Sequence, residues 1–386
     1  MSHSKTSTII ATGLAMFSMF FGAGNVVFPL ALGQIAQDQN LPAITGLLIT
    51  AVGVPFFGLA AMTLFNGNYT AFFSRIGIVP GFLFALLLMG LIGPFGAMPR
   101  CIALSYSTAK TFLPGVSLPF FSFFSCVVIW LFTFKKNTII DSLGYVLTPL
   151  LLGSLAIIIF KGLWTAPEAP QNPTAAFKLF LQGLQDGYLF MDLPGALFFS
   201  SVIIACMRTT IVAEENTQRK LIMTTFKASV IGASLLALVY IGFSYVSSFH
   251  SANLAGLPPD ELISTLAVQI LGANAALVAC LAVALACLTT AIALAAVFAE
   301  FLHNDVTMGK VNYQLSLLAT LIIAFFVSTL NFSGIAAFLF PILTVCYPAL
   351  IALTAMNFLY KTHGIETVKM PVLIVLLISI GTYFWM

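Results

Sequence analysis

A single carboxylate in the middle of a long apolar run is the first group to which chemistry can be assigned. Asp192 stands in GYLFMDLPGALFFSS (Gly187–Ser201), with Pro194 and Gly195 just after it. A charge at membrane depth is costly and usually functional. It can face an ammonium group, ligate a cation or carry a proton; the plainer reading is a structural acid bonded to loosened backbone. A second stretch, FSMFFGAGNVVFP (Phe17–Pro29), places Gly22, Ala23, Gly24 and Asn25 inside a run long enough to cross a bilayer, with Pro29 four residues on. Glycine weakens a helix interior and proline removes one of its bonds, so both runs are expected to break. Broken backbone at membrane depth is tolerated where it is buried in protein or lines a polar cavity. Its free N–H groups can hold a carboxylate and its free carbonyls a cation. The competing reading of Gly22–Gly24 is a small-residue packing face. A third stretch, ALACLTTAIAL (Ala284–Leu294), sets Thr289 beside Thr290, with Ala286 one turn earlier. Hydroxyls and unwound carbonyls can coordinate a small cation without formal charge, but such threonines also commonly bond to their own helix carbonyls.

The elements that position these groups are membrane helices. The chain has 386 residues, 60% hydrophobic and 7% charged, a balance found in polytopic membrane proteins and not in soluble domains. Long continuous apolar runs exclude the alternating ten-residue segments of a β-barrel. The net charge of +3 is spread over loops and is no nucleic-acid footprint. The first apolar run is too long for a cleavable signal peptide and has no small-residue cleavage pattern, so it is read as a span. Cys101, Cys126, Cys206, Cys280, Cys287 and Cys346 form no CxxC pair and are read as packing residues. His3, His250, His303 and His363 fall in loops or at the terminus, and there is no HExxH, nucleophile elbow or phosphate loop. An intramembrane enzyme is therefore not expected, nor any cofactor. A channel would need a continuous polar stripe, and these helices are too apolar.

Hydropathy places eleven spans, at about 8–32, 43–65, 80–99 or beyond, 118–134, 140–162, 184–206, 225–248, 274–300, 313–330, 334–359 and 371–386. The segment PPDELISTLAVQILG (Pro258–Gly272) is amphipathic and is expected to lie as a helical flap on one face. Arg100, in GPFGAMPR, is expected in the outer vestibule or paired with an acid there. With the N-terminus inside, the inner loops hold eleven of the fifteen Lys and Arg residues: Lys5, Arg75, Lys135, Lys136, Arg208, Arg219, Lys220, Lys227, Lys310, Lys361 and Lys369. The outer loops hold the other four, Arg100, Lys110, Lys161 and Lys178. That bias predicts a cytoplasmic N-terminus, and an odd number of spans then puts Met386 outside. The first and sixth spans break at matching places. The expected organisation is a single transmembrane transporter domain, residues 1–386, with repeat one at about 8–162, an inverted repeat two at about 184–359 and an extra helix at about 371–386. Two interrupted helices at corresponding positions are the mark of a secondary transporter whose site lies between them.

Five motifs occurring in this order, FFGAGNVVFP, GPFGAMPR, GYLFMD, ACLTTAI and PILTVCYP (Pro341–Pro348), resemble the branched-chain amino acid:cation symporters, the BrnQ or LIVCS family. The resemblance implies a bacterial inner-membrane carrier for leucine, isoleucine and valine, driven by Na⁺ symport, with the all-α LeuT-like fold of five-plus-five inverted repeats. It implies that Gly22, Ala23, Gly24 and Asn25 receive the substrate carboxylate, and that Met191, Asp192 and Leu193 receive the ammonium. It further implies a Na⁺ site of carbonyls near Ser18, Phe21 and Ala286 with the hydroxyls of Thr289 and Thr290. The expected partners are these amino acids, Na⁺ and membrane lipid. The rival within the class is a proton-coupled carrier of another neutral amino acid, working through Asp192. The sequence departs from the family pattern at Leu30, where a second proline is usual, and at Phe190 and Cys101, where threonine is usual. The Phe190 change is expected to bear on the amino acid accepted. The family also generally has twelve helices, one more than is found here.

Overall fold

The computed structural model describes residues 5–134, 139–211 and 217–385. His3, Lys135, Lys136 and Met386 lie outside the described residues, as do the side chains of Lys5, Asp141, Cys206, Arg208, Arg219 and Lys220. Among the described residues every regular element is helical. In a bilayer, backbone groups must be satisfied within the protein, and a helix does this locally.

The first span is two helices, α1 (Lys5–Phe20) and α2 (Ala23–Ala36). The second is α3 (Asn40–Leu48), a π-turn at Ile49–Gly53 and α4 (Val54–Leu64), followed by the short α5 (Tyr69–Phe73). The third is α6 (Ile78–Ile92) and α7 (Ala97–Lys110); then come α8 (Leu118–Phe134) and α9 (Ile139–Trp164). The sixth is α10 (Ala176–Asp186), a 3₁₀ turn at Gly187–Phe190 and α11 (Asp192–Ile211), and the seventh is α12 (Thr217–Phe249). A short α13 (Ser251–Leu254) leads to α14 (Leu262–Leu271), which is the expected flap. The remaining rods are α15 (Ala273–Phe301), α16 (Tyr313–Ser328), α17 (Asn331–His363) and α18 (Lys369–Trp385).

Two spans are longer than their apolar cores. The third takes the further end that the sequence left open. It turns once at Gly93–Gly96 and runs on to Lys110. A Cβ on Gly96 would lie 2.3 Å from the Leu91 carbonyl, so this turn closes only around glycine. The sixth span starts at Ala176, well before residue 184, because α10 (AFKLFLQGLQD) carries Lys178, Gln182, Gln185 and Asp186 and escapes an apolar window.

The α1–α2 span runs along α12, α10 along α3, α11 along α4 and α7 along α15. The α18 helix packs on α17 and buries little besides Val372 and Ser379. The flap buries Leu262, Ile263, Leu266, Ala267 and Ile270 against the bundle, and its leading turn is tied to α7. There Asp260 accepts a hydrogen bond from the Ser107 hydroxyl, and Glu261 pairs with Lys110 at 3.3 Å.

The α3–α10 contact has backbone touching backbone. A Cβ on Gly46 would stand 2.2 Å from the Phe180 carbonyl oxygen, and one on Gly183 would stand 2.0 Å from that of Ala43. Overpacking a core costs roughly 1–3 kcal/mol even where side chains can yield, and a carbonyl cannot rotate away. Gly183→Leu is expected to lower the melting temperature of the detergent-purified protein by several degrees or to abolish its folded yield. An unchanged melting curve would mean that α10 can leave α3 without cost.

Candidate functional site

The first break is short. The Phe21 N–H still bonds to the Phe17 carbonyl at 2.9 Å, and then Gly22 adopts an extended conformation before α2 begins. Of the four residues expected to be unwound, Ala23, Gly24 and Asn25 form the first turn of α2. Such a turn has no intrahelical acceptors for its N–H groups. Asn25 supplies one, because its Oδ1 accepts the Gly22 N–H at 2.8 Å.

The second break lies just before Asp192. The 3₁₀ turn at Gly187–Phe190 ends at Met191, which has a left-handed backbone (φ 60°), and α11 starts at Asp192. Asp192, Pro194 and Gly195 therefore do not interrupt the span, as the sequence suggested; they start its second half. Proline is tolerated in a first helical turn because its missing N–H would have no partner there. The Leu193 N–H, also in that turn, bonds to the Tyr347 hydroxyl of α17 at 3.3 Å.

One amide joins the two breaks. Asn25 Nδ2 donates to Asp192 Oδ2 at 2.9 Å and also bonds the Tyr240 hydroxyl of α12, which itself reaches Asp192 Oδ2 at 3.4 Å. Asn25, Asp192, Tyr240 and Tyr347 are all at most 6% exposed, so the site is closed to solvent. Its wall is aromatic. Phe190 lies 5.5 Å from Phe28 and 5.1 Å from Tyr240 between ring centres, Phe28 lies 5.7 Å from Phe332, and Tyr188 stacks on Tyr347 at 4.7 Å.

Arg100 does not lie in an outer vestibule. It is 1% exposed in the first turns of α7, and its Nη1 donates to the Leu189 carbonyl at 2.6 Å, inside the turn of the sixth span. Its guanidinium carbon stands 5.4 Å from the Phe28 ring centre and 5.9 Å from that of Phe332. The break at Gly93–Gly96 swings α7 inward and carries Arg100 with it.

The candidate cation ligands meet beside the first break. Thr290 Oγ1 lies 3.0 Å from the Ala286 carbonyl and 3.4 Å from that of Phe21, so α15 touches the open end of α1. Thr289 bonds to the same Ala286 carbonyl at 2.9 Å. Ser18 is half-buried on α1, three residues before Phe21. Phe21, Ala286 and Thr290 are thus brought together as neutral hard oxygens, which suit a hard cation. Each threonine also makes the return bond to its own helix that the plainer reading expected.

Sequence reasoning missed Tyr240, Tyr347, Phe28 and Phe332. Each is one aromatic among many in an apolar helix, and nothing local sets it apart. Arg100 did carry a signal, a lone cation between two short apolar stretches.

The architecture is that of the LeuT-like transporters, five-plus-five inverted repeats with broken first and sixth spans. The inward-facing conformation of Mhp1 superposes with a TM-score of 0.64 at 15% identity, covering 98% of this chain and 90% of that one. MhsT in complex with L-phenylalanine superposes with a TM-score of 0.62 at 14% identity, covering 97% of each chain. These two likenesses show the fold of the chain. The family profile described as "Branched-chain amino acid transport protein" matches residues 5–384. The branched-chain amino acid permease BrnQ of Bacillus subtilis is 30% identical over 376 residues, 94% of this chain and 83% of that protein. Its namesake from Corynebacterium glutamicum is 32% identical over 356 residues, 92% of this chain and 81% of that protein. The chain belongs to the branched-chain amino acid transport protein family.

The amide bridge makes a direct prediction. Asn25→Ala removes the Gly22 cap and the Asp192 donor together, and a buried group left without its partner costs about 1–3 kcal/mol, more if charged. This variant is expected to lose several degrees of thermal stability in detergent and most transport. Tyr240→Phe leaves the Asn25 bonds in place and is expected to change either measurement only a few-fold or by a degree or two. Equal losses in the two variants would contradict the central place given to Asn25.

Proposed function

We propose that the protein imports leucine, isoleucine and valine across the bacterial inner membrane by Na⁺ symport, with its N-terminus in the cytoplasm. The observation that carries the reading is the junction of the two helix breaks at Asn25 and Asp192, with the Thr290–Phe21 contact beside it. An amino acid is a zwitterion with one apolar side chain. The site offers a helix N-terminus at Gly22–Asn25 for the carboxylate, Asp192 with Met191 and Leu193 for the ammonium, and aromatic rings for the side chain. Phe190, which contacts both Phe28 and Tyr240, is well placed to set how large that side chain can be.

Na⁺ is assigned to the oxygens of Phe21, Ala286 and Thr290, with Ser18 and Thr289 completing the shell. This donor set carries no formal charge and favours a monovalent cation over a divalent one. Sharing the first break between ion and substrate gives a physical reason for coupling, since each orders backbone the other needs. The repeats are assigned to about 8–162 and 184–359, with the last helix outside them. Charge distribution supports the orientation more strongly once Arg100 is known to be buried: eleven inner and three outer basic residues plus Arg100 make up the fifteen.

Uptake into proteoliposomes, with Na⁺ and proton gradients imposed separately, tests the whole reading. Leucine, isoleucine and valine should compete with one another, and their affinities should differ modestly because one methylene is worth only about 1 kcal/mol. Preference for a charged amino acid would overturn the substrate assignment.

Thr290→Ala is expected to raise the Na⁺ concentration for half-maximal leucine uptake by about ten- to a hundredfold, the worth of one hydrogen-bond-strength contact to a charge. High Na⁺ should partly restore leucine binding, and Thr290→Ser should be mild. If Asp192→Asn instead abolishes coupling to a proton gradient while the threonine variants keep their ion dependence, a proton carried on Asp192 drives the cycle.

A further inference from the structure

The donors of the first break are fewer than its sequence suggests. The Gly22 N–H is already held by Asn25 Oδ1, and the Ala23 N–H faces the thiol of Cys101. Backbone alone is therefore a thin receptor for a carboxylate. Next to Cys101 in the chain stands a guanidinium with donors to spare. Arg100 is fully buried, spends Nη1 on the Leu189 carbonyl, and has an Nε with no partner at all. Among the described residues no carboxylate oxygen comes within ion-pair distance of it; after the neighbouring Cys101 side chain, Asp192, three residues beyond Leu189, is the group whose charge reaches it. A buried cation without a bonded anion is expensive, and an orphaned donor beside it adds to the cost. The two flanking rings, Phe28 and Phe332, offset only part of this.

Building on that assignment of an amino-acid substrate, we propose that Arg100 supplies the charged part of the receptor for the substrate α-carboxylate, beside the helix N-terminus at Gly22–Asn25. The guanidinium fork matches a carboxylate in geometry and binds it through parallel N–H bonds. The Leu189 bond fixes the fork against the turn of the sixth span, and the Phe28 and Phe332 rings hold its plane. Arg100 and Asp192 together form a neutral pair, and a zwitterion entering between them gives each charge an opposite one. A free amine would satisfy Asp192 and leave Arg100 bare; a free carboxylate would do the reverse. The pair therefore selects α-amino acids over either half alone. The competing role for Arg100 is a purely structural counter-charge to Asp192.

The two roles differ in how ligands are ranked. Leucine and leucinamide share shape and ammonium but differ in the carboxylate. Both are to be measured as competitors of labelled-leucine uptake in vesicles, and as ligands raising the melting temperature of the solubilised protein. The wild type should favour leucine by about ten- to a hundredfold, the worth of hydrogen bonds to a charge. In Arg100→Gln that ratio should collapse toward one, mostly through weaker leucine binding. Arg100→Lys keeps the charge without the fork and should give an intermediate ratio; it also carries the test if Arg100→Gln fails to fold. A ratio that stays at the wild-type value in Arg100→Lys and in any folded Arg100→Gln, with both ligands weakened in parallel, would overturn the proposal and leave Arg100 a structural charge. If the wild type binds no branched-chain amino acid at all, the substrate reading fails instead.

Discussion

The side-chain amide of Asn25 has its oxygen on one broken helix and its nitrogen on the other. The oxygen caps the N–H of Gly22, and the nitrogen meets the carboxylate of Asp192. Each break on its own would leave polar groups stranded in a region without water, where an unpaired group is most costly and a paired one is strongest. Joined through Asn25 they satisfy one another, and Tyr240 closes the triangle from α12. The amide has a donor and an acceptor side fixed in one plane, and no carboxylate or hydroxyl could serve both partners in the same way. The geometry of the site follows from this contact.

Around that contact the protein balances charge within a closed apolar chamber. One acid and one guanidinium are both buried, each anchored to the turn of the sixth span or the residue just after it. Asp192 is met by the Asn25 amide and the Tyr240 hydroxyl, and Arg100 by aromatic rings and a backbone carbonyl. Such an arrangement is tight enough to be stable without ligand and unsaturated enough to gain from one. Any change at Leu189–Leu193 is felt by Arg100, by Asn25 and through Tyr347 by α17.

The surrounding bundle divides into stiff and yielding joints. Where α3 crosses α10, glycine brings carbonyl against backbone and leaves no slack. A few residues further on, α3 loosens into the π-turn at Ile49–Gly53, which lies against the 3₁₀ turn of the sixth span. Rigid helices thus carry the breaks of the second and sixth spans, whose irregular turns lie against each other.

Composition alone determined that this is a helical membrane protein, because a chain with 7% charged residues cannot cover a soluble surface. The breaks in the first and sixth spans were also legible, since glycine and proline act through local backbone chemistry that needs no neighbours. Their exact positions were not. Asn25 turned out to be a helical cap and Asp192 a helix start, because which residue leaves the helix depends on what accepts its freed bonds, and those acceptors come from other spans. Thr290 was visible as a polar residue in an apolar helix, but its approach to Phe21 was set by the packing of α15 on the first span. Arg100 was conspicuous by type and misplaced in depth, because the turn at Gly93–Gly96 redirects α7 by a glycine contact that hydropathy does not register. Tyr240 had no sequence signal, and Tyr347, although inside the PILTVCYP motif, had nothing to give it a role. A tyrosine on an apolar helix reads the same whether its hydroxyl meets lipid headgroups or a buried carboxylate, and only the tertiary fold decides which.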